Sequence, residues 1–547
     1  MGYLIIGLII VILLFLVAHH FNKVKAKAKL AEIQSAWGQP KDESFHFASI
    51  RRYADLTKEK FHRLTDQTIN DIDFYRIFTL IDRTTSKVGQ QFLFKKVTEP
   101  TNLIDYPSQK LIQLVIENKK LREEIQMELL KLNDSDAYYI LSALEARLIE
   151  EPKWLFLLTV DLIVVISLLV LSFKFPVLLI ALLFLTTLNL FIHYWNKNNT
   201  FQFTRSIPQL NLLINVSKQL IKKDDLLYDK SVVESISQLK SFQRKSSLIS
   251  FNNGIGSQGE FGELGKMMND LIKGFFLIET ITFFKVIREL KDKQASIITL
   301  FNYVGNIDAS ISIASLRSGK LKTCQPVFTS SKKEIIAKNI YHPLIKKCTE
   351  NDLTISNKSV LITGSNMSGK STFLRTLAIN SILAQTIFTC FADEYVSPIV
   401  KQFSSIRIDD NLFEGKSYYF QEVNVIGSLI AEVDSTHQNL FILDEVFKGT
   451  NTVERIAAAK AILSYLNRGS NIVVVSTHDI ELAGMLSSEY ELYHFAETIE
   501  NDKLHFDHKI KPGQVQTRNA IRLLELSNYP SDIINEARQI SSTLKTK

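Results

Sequence analysis

Long apolar runs occur at two places in a chain that otherwise mixes hydrophobic and polar positions. The first run extends from Tyr3 to Ala18 without a charged residue, and it is followed by four lysines: Lys23, Lys25, Lys27 and Lys29. A helix crosses a bilayer with about 20 apolar residues, and lysines accumulate on the cytoplasmic side. The pattern predicts an N-terminal transmembrane anchor at residues 1–20 and a basic cytoplasmic linker at 21–70. A cleaved signal peptide is the alternative.

The second apolar region lies between Trp154 and Trp195, where two runs flank a short turn at Lys174. Each run approaches membrane length, and aromatic residues lie at the outer ends, as they do at membrane interfaces. We predict a transmembrane helical hairpin at 154–195, which makes three transmembrane helices in all. A helix pair buried in a soluble core is the alternative. Asp161 is unusual there, because an ionised carboxylate is costly inside a bilayer.

This arrangement of spans has a consequence for location. One anchor and one hairpin leave both remaining parts of the chain on the cytoplasmic side, because a hairpin returns the chain to the side from which it came. The sequence therefore predicts a multi-pass protein of the cell membrane.

Apolar residues recur at three- and four-residue spacing through the polar parts of the first 331 residues. This spacing is typical of amphipathic helices. It predicts all-α segments, with helices from Thr101 to Ile149 and across 197–320, inside the stretches 71–153 and 196–331. A stretch rich in Gly, Asn and Ser, Asn252 to Gly265, interrupts the second segment. We interpret it as a disordered connector, with a functional loop as the alternative.

The pattern changes at Lys332, where short β-rich runs begin to alternate with helical segments. Such alternation is the signature of a parallel sheet with crossover helices. We therefore assign residues 332–547 to an α/β domain. Ligands of such sheets bind beyond the carboxyl ends of the strands, so the residues that follow predicted strands are the candidates for chemistry.

One of these strand ends carries a phosphate-binding motif. The run SVLITGSNMSGKST, residues 359–372, fits GxxxxGK[ST] between an apolar strand and a predicted helix. Glycines let backbone N–H groups close around phosphate oxygens, Lys370 reaches the outer phosphates, and Ser371 binds Mg²⁺. The sequence therefore predicts a P-loop that takes ATP and Mg²⁺, formed by Gly364, Ser365, Asn366, Met367, Ser368, Gly369, Lys370, Ser371 and Thr372.

Two further predicted strands supply the other candidate site residues. The run NLFILDE ends in Asp444 and Glu445, and the run NIVVVSTHD contains His478. Asp444 is suited to hold the Mg²⁺ ion. Glu445 is suited to orient and deprotonate an attacking water, the step that separates a hydrolase from a nucleotide-binding switch. We interpret His478 as a sensor of the γ-phosphate, with a structural histidine as the alternative.

Composition and charge add weaker constraints. The chain has 547 residues, 46% of them hydrophobic, and basic residues exceed acidic ones by 64 − 57 = 7. This excludes a small binding module and a broadly disordered chain. Part of the basic excess lies in the membrane flank, which weakens it as evidence for nucleic acid. Cys324, Cys348 and Cys390 are too scattered to predict a disulfide framework or a metal site, and they favour a reducing compartment.

At the motif residues the chain resembles the MutS family of DNA mismatch-repair ATPases, which are relatives of the ABC-type ATPases. TGSNMSGKST at 363–372 is similar to the family's TGPNMGGKST, and LDEVFKGTNTVERIAAA and STHDIEL resemble its stretches after the next two strands. Upstream, residues 74–100 and 304–316 resemble the family's core domain. The resemblance implies an ABC-type P-loop ATPase domain joined to a helical core and lever domain.

The same resemblance implies a composite site and a homodimer. In the family, a serine of one subunit contacts the γ-phosphate bound to the other, and the matching stretch DDNLFEGKSYYFQEV makes Ser417 the candidate. A helix N-cap is the alternative role for this serine. Because only residues 1–70 precede the core-like match, the family's mismatch-reading domain is expected to be absent.

We interpret the chain as a membrane-anchored, MutS-like ATPase that hydrolyses ATP to drive conformational change. The resemblance makes binding of mismatched or branched DNA, in repair or recombination, the first expectation for its partner. The alternative is a membrane-tethered ATP switch that acts on a protein or lipid partner without reading DNA.

Overall fold

The described part of the chain forms two compact units. The computed structural model describes residues 2–56, 61–102, 106–148, 154–199, 201–250, 271–272, 274–290, 292–365, 367–407, 418–447, 451–500, 503–514, 521, 524–525 and 529–545. Unit 1 comprises Met1–Lys58, Asp82–Lys95 and Asp105–Ser318, and unit 2 comprises Glu59–Ile81, Lys96–Ile104 and Gly319–Lys547. Unit 2 thus includes two short segments that lie far upstream of Lys332.

The regular elements among the described residues of unit 1 are all helices, in line with the periodicity. The stretch after Thr101 is divided into short helices, because the Asn118 side chain accepts a hydrogen bond from the Leu121 amide and starts a new helix there. The α-helices are Gly2–Ala36, Phe47–Ile50, Arg52–Leu56, Lys87–Thr98, Tyr106–Glu117, Lys119–Leu129, Leu155–Ser172, Leu178–Asn199, Phe201–Leu220, Lys230–Gln238, Lys240–Ser250, Ile278–Leu290 and Gln294–Arg317, and the 3₁₀-helices are Leu130–Leu132, Ser135–Leu148 and Asp225–Leu227.

The helix Gln294–Arg317 forms the core of unit 1. Its residues from Val304 onward are almost all buried, and it packs against the helices Tyr106–Glu117 and Lys230–Gln238. Gly305 permits a close approach, since a Cβ atom there would lie 2.5 Å from the Cβ atom of Phe92. Small and branched side chains therefore let this helix pass through the middle of the unit.

A buried carboxylate joins this central helix to the start of the helix Lys87–Thr98. Asp308 accepts hydrogen bonds from the Thr85 amide at 2.8 Å, the Ser86 amide at 2.7 Å and the Ser86 hydroxyl at 2.6 Å. Burial raises the pKa of Asp308 to about 6. Gly89 is required beside it, because a Cβ atom at that position would lie 2.1 Å from Asp308 Oδ2.

The predicted hairpin is present as the helices Leu155–Ser172 and Leu178–Asn199, joined by a short turn. Most of its apolar side chains are exposed, with Phe173 88% exposed at the turn. Inside the hairpin, the Asn189 amide donates to the Asp161 carboxylate at 2.8 Å. The hairpin therefore presents an apolar surface to its surroundings while Asp161 has a polar partner.

Among the described residues, three helices are long and apolar enough to cross a membrane. Two are the hairpin helices, with mean hydropathy 2.7 and 1.8, and the third is Gln294–Arg317, with mean hydropathy 1.2 and 16 of its 24 residues buried. The third helix was not predicted as a span, and its burial accounts for its apolar composition. The predicted N-terminal anchor lies within the helix Gly2–Ala36, but the side chains of residues 2–15 lie outside the described ones.

Unit 2 contains two sheets with helices around them. Five parallel strands in the order β9-β4-β8-β7-β6, with β10 antiparallel beside β9, form the larger sheet, and β1-β5-β2-β3 form a smaller mixed sheet. The parallel sheet was predicted; the mixed sheet was not. The strands are β1 Val327–Phe328, β2 Glu334–Ile340, β3 Asn351–Ser356, β4 Ser359–Thr363, β5 Glu394–Ser397, β6 Lys401–Ser405, β7 Asn439–Asp444, β8 Ile472–Thr477, β9 Tyr490–Glu500 and β10 Lys503–Pro512.

Unit 2 includes two helices from the upstream segment, Asp66–Asp71 and Phe74–Ile81. Its other helices are Lys370–Ile387, Tyr418–Ala431, Thr452–Leu466, Ile480–Leu486 and Ser531–Lys545.

The first of these helices docks on β6, the last strand of the larger sheet. The buried Asp71 carboxylate accepts hydrogen bonds from the Ser404 hydroxyl at 2.6 Å and from the amides of Ile406 and Arg407 at 3.0 and 2.7 Å. Burial raises the pKa of Asp71. Nearby, Arg407 donates to both oxygens of Asp73 at 2.8 and 3.2 Å. This contact fixes the backbone at the point where β6 ends.

Candidate functional site

The candidate residues meet because their strands are parallel neighbours in one sheet. The pairing register places Thr363 of β4 opposite Thr477 of β8, and Asp444 of β7 opposite Ser476 of β8. The loop after β4 and the residues after β7 and β8 therefore emerge at the same edge. Ligands of parallel α/β sheets bind at this edge.

The predicted P-loop connects β4 to the helix Lys370–Ile387. Gly364 and Gly369 have φ angles of +148° and +113°, which side-chain-bearing residues rarely adopt. A Cβ atom on Gly364 would also lie 2.8 Å from the carbonyl oxygen of Phe495. Both glycines are thus required by the path of the loop. Met367 is 83% exposed at its tip, and Asn366 lies outside the described residues.

The lysine of the motif lies within the loop. Lys370 is buried, and its ammonium donates to the carbonyl oxygens of Gly364 at 2.7 Å and Ser365 at 2.8 Å. Ser368 closes the loop from the other side by donating its hydroxyl to the Ser365 carbonyl at 2.8 Å. Thr372 follows as the third residue of the helix. The loop is therefore a closed turn of backbone around one positive charge.

Asp444 links the P-loop helix to two strands. One of its carboxylate oxygens accepts a hydrogen bond from Ser371, and the other accepts one from Ser476. Asp444 itself is almost fully buried. No cluster of three or more His, Cys, Asp or Glu side chains suited to a metal occurs in the described part of the chain. A cation at this site would thus depend on the Ser371 hydroxyl and the Asp444 carboxylate.

Glu445 and His478 form a second pair beside Asp444. His478 Nδ1 lies 3.2 Å from Glu445 Oε1, and the histidine side chain is 48% exposed. Glu445 has a φ angle of +61°, an uncommon conformation that turns the chain sharply after β7. Beside the histidine, Arg455 donates to both carboxylate oxygens of Asp479 at 3.1 and 2.8 Å. The two residues singled out in the sequence are therefore neighbours.

Several residues at the site were missed by sequence reasoning. Ser476 contacts Asp444, Glu497 of β9 accepts a hydrogen bond from Ser365, and His508 Nδ1 of β10 lies 3.0 Å from the Ser368 carbonyl oxygen. The signal for Ser476 was its place at the end of a predicted strand. Glu497 and His508 gave no local signal, because pairing of distant strands brings them to the loop. Ser417 lies outside the described residues.

The part of the chain that carries this site is similar to known proteins. Residues 360–545 match the family model described as MutS domain V. The chain is 34% identical over 236 residues to a DNA mismatch repair protein MutS of Lactobacillus delbrueckii subsp. bulgaricus, covering 41% of this chain and 27% of that protein. It is 31% identical over 323 residues to the protein of the same name from Listeria welshimeri, covering 56% and 36%.

A third relative extends the same match. The DNA mismatch repair protein MutS of Pseudothermotoga lettingae is 28% identical over 275 residues, which are 48% of this chain and 33% of that protein. The aligned part of the chain therefore spans about a third of the length of these curated relatives. The matched region contains the P-loop, Asp444, Glu445 and His478. Residues 360–545 are therefore similar to domain V of the MutS family.

Proposed function

We propose that this protein binds ATP with Mg²⁺ at the P-loop and hydrolyses it to drive conformational change. The observation that carries the proposal is the contact of Ser371 with Asp444, next to the pair of Glu445 and His478. The match of residues 360–545 to MutS domain V supports the same proposal.

The loop is suited to hold a polyphosphate. Its ammonium now donates to two neutral carbonyl oxygens, and phosphate oxygens would be stronger acceptors because they are ionised. The start of the helix Lys370–Ile387 adds backbone N–H groups and the positive end of the helix dipole. Binding would therefore exchange the internal hydrogen bonds of Lys370 for charge-assisted ones.

The donor set beside the loop fits Mg²⁺. A hydroxyl from Ser371 and a carboxylate from Asp444 are hard oxygen ligands, which Mg²⁺ prefers, and it usually completes its coordination with water and substrate phosphates. When bound, the ion would withdraw negative charge from the phosphate oxygens. Ser476 keeps the Asp444 carboxylate oriented by donating to its other oxygen.

Glu445 is placed to act on the attacking water. Its carboxylate would accept the proton of a water molecule, and the imidazole of His478 at 3.2 Å would orient that carboxylate. The ion pair of Arg455 with Asp479 holds the residue next to His478. In this scheme Glu445 acts as the base, and His478 responds to the charge near the terminal phosphate.

The test is Glu445→Gln in the full-length protein, with Glu394→Gln as the matched control. Glu394 lies in β5 of the smaller sheet, where it pairs with Lys338. We expect Glu445→Gln to lower ATP turnover by about 10²–10⁴-fold, the usual contribution of a positioned base, while ATP binding persists. The control should turn over ATP at the wild-type rate. Undiminished hydrolysis by Glu445→Gln would refute the role of Glu445.

We also propose that two copies meet at this face. Exposed apolar residues lie around the site, among them Met367 in the loop and Val453, which is 77% exposed, at the start of the helix Thr452–Leu466. The family resemblance makes Ser417 the residue that would reach the partner's nucleotide. Sedimentation of Glu445→Gln with and without ATP tests this, because trapped nucleotide should favour the dimer. A monomer under both conditions would contradict it.

The protein is proposed to be an integral, multi-pass protein of the cell membrane, with three spans and its α/β domain in the cytoplasm. The exposed apolar hairpin supports this, because such surface is rare on soluble proteins. Extraction of membranes at alkaline pH tests the proposal when the chain is compared with a variant lacking residues 154–195. Release of the full chain into the soluble fraction would contradict it.

The partner is proposed to be DNA with mismatches or branches, in repair or recombination. The curated relatives carry the name DNA mismatch repair protein. ATP turnover in bilayers should then rise with duplex, mismatched or branched DNA at low salt, where phosphate contacts are strongest. If none stimulates turnover, the second candidate is favoured. This is a membrane-tethered ATP switch for a protein or lipid partner, and the exposed hairpin is the observation in its favour.

A further inference from the structure

Two cysteines that are distant in sequence face each other in unit 2. The Cys324 amide donates to the Cys390 carbonyl at 2.9 Å, and the Cys390 amide donates to the Cys324 carbonyl at 2.9 Å. They form an isolated antiparallel bridge outside the named strands. The third cysteine, Cys348, lies elsewhere and accepts a hydrogen bond from the His342 amide at 3.3 Å.

The backbone geometry of this bridge suits a disulfide bond. Two residues that exchange both hydrogen bonds in an antiparallel pair have Cα atoms about 5.5 Å apart. Disulfides form at Cα separations of about 4.4–6.8 Å, most often near 5.5–6 Å. The pairing of Cys324 with Cys390 is therefore of a type whose usual Cα separation falls in the range of disulfide bonds.

The two thiols differ in access and reactivity. Cys324 is half-buried, whereas Cys390 is fully buried with its sulfur 3.6 Å from the Asn380 carbonyl oxygen. The hydrogen bond from Cys390 lowers the pKa of Cys324, against weaker opposing effects of burial and of Asp393 and Glu394. A thiolate is the nucleophile in disulfide exchange. Cys324 is thus suited to react first and Cys390 to react second.

We propose that Cys324 and Cys390 form a redox-responsive dithiol site whose oxidant is a small disulfide such as oxidised glutathione. The Cys324 thiolate attacks one sulfur of the small disulfide, forms a mixed disulfide and releases one thiolate. The Cys390 thiol then attacks the Cys324 sulfur and displaces the second small thiolate, which takes up the proton that Cys390 gives up. Two protein thiols and one small disulfide thereby give one protein disulfide and two small thiols.

The bond would connect the two ends of the segment that contains the P-loop. Residues 324–390 include β1 to β4, the loop itself and the helix Lys370–Ile387. At the far end, the Phe391 amide donates to the side chain of Asn380 in the middle of that helix at 2.6 Å. Oxidation would therefore close a covalent ring around the nucleotide-binding segment. In a reducing compartment such a bond forms transiently, as redox-sensing disulfides do.

The test uses the full-length protein incubated with oxidised glutathione, alkylated and digested with trypsin without reduction. Cys324, Cys390 and Cys348 fall in separate peptides, residues 323–332, 376–401 and 348–358. We expect the reactive thiols counted after denaturation to fall from three to one per chain, with the first two peptides joined. Cys348→Ser, the matched control, should form the same joined peptide and retain none.

Two further arms separate native pairing from chance. Cys324→Ser should leave Cys390 unmodified until the protein is unfolded, because Cys390 is fully buried. Oxidation in denaturant should give all three pairings of the cysteines instead of one. Joining of either peptide to 348–358 in the native protein would overturn the proposal. A mixed disulfide on Cys324 that never closes would overturn it as well. Neither result would bear on ATP hydrolysis, which is measured separately.

Discussion

Asp308 offers a quantitative test of how burial and hydrogen bonding compete in unit 1. Burial raises the pKa of this carboxyl from its ordinary value of 3.8 to about 6. A raised pKa means that the folded state holds the proton more tightly than the unfolded chain, so stability falls as pH rises between the two values. This rise in pKa corresponds to about 3 kcal/mol of stability in total, at about 1.4 kcal/mol for each tenfold change in proton affinity. About 2 kcal/mol of that stability is lost between pH 4.5 and 7.5.

The perturbation is Asp308→Asn, which cannot titrate. We compare its free energy of unfolding with that of the wild type at pH 4.5 and 7.5, by urea titration in detergent. The three tryptophans, Trp37, Trp154 and Trp195, all lie in unit 1. Replacing the two hairpin tryptophans by phenylalanine leaves Trp37, whose ring lies 3.7 Å from the Arg122 guanidinium, as the reporter.

The expected result is that the wild type loses about 2 kcal/mol relative to Asp308→Asn as pH rises over this interval. Asp55→Asn, at an exposed pair with Arg51, should show a difference from wild type of less than about 1 kcal/mol at both values. If instead the wild type gains stability relative to Asp308→Asn with rising pH, the hydrogen bonds to the carboxylate outweigh burial. The reasoning would then be refuted.

Three further predictions follow from contacts described above. Gly89→Ala should lower the free energy of unfolding by about 2–4 kcal/mol, through overpacking against Asp308 and a lost hydrogen bond. Gly427→Ala, with nothing within 4 Å of the added carbon, should raise the free energy of unfolding by up to about 1 kcal/mol. Equal effects of the two substitutions would contradict the clash with Asp308. Asp71→Asn should cost about 1–3 kcal/mol and speed hydrogen exchange at the end of β6, whereas Asp73→Asn, at an exposed ion pair, should cost less than about 1 kcal/mol. Ser371→Ala should raise the Mg²⁺ concentration for half-maximal ATP turnover about tenfold, or about 1.4 kcal/mol; an unchanged Mg²⁺ titration would exclude the hydroxyl as a ligand.

The sequence predicted those features that are encoded within short stretches. The strand, loop and helix around Lys370 follow from one apolar run, two glycines and the start of an amphipathic segment, so their order in the structure could be anticipated. The hairpin follows equally from local composition. The convergence of Asp444 and His478 required one assumption, that their strands are parallel neighbours, and the pairing of β7 with β8 bears it out.

Contacts between distant segments could not be anticipated. Cys324 and Cys390 look unrelated in sequence because only the folded backbone pairs them. Asp71 and Ser404 are 333 positions apart. The helix Gln294–Arg317 illustrates the reverse difficulty, since its hydropathy alone is compatible with a membrane span while 16 of its 24 residues are buried. Hydropathy measures the avoidance of water, and a protein core satisfies that as well as a bilayer does.

The docking of an upstream helix on β6 has a consequence for dissecting the protein. A strand at the end of a sheet exposes unpaired amides that recruit other strands, and here the His62 ring lies 2.8 Å from the Gln402 carbonyl while Asp71 takes the amides that follow β6. A fragment beginning at Gly319 would contain every motif residue yet lose this cover. We expect such a fragment to self-associate through β6, whereas one that retains the segment 61–81 would stay dispersed.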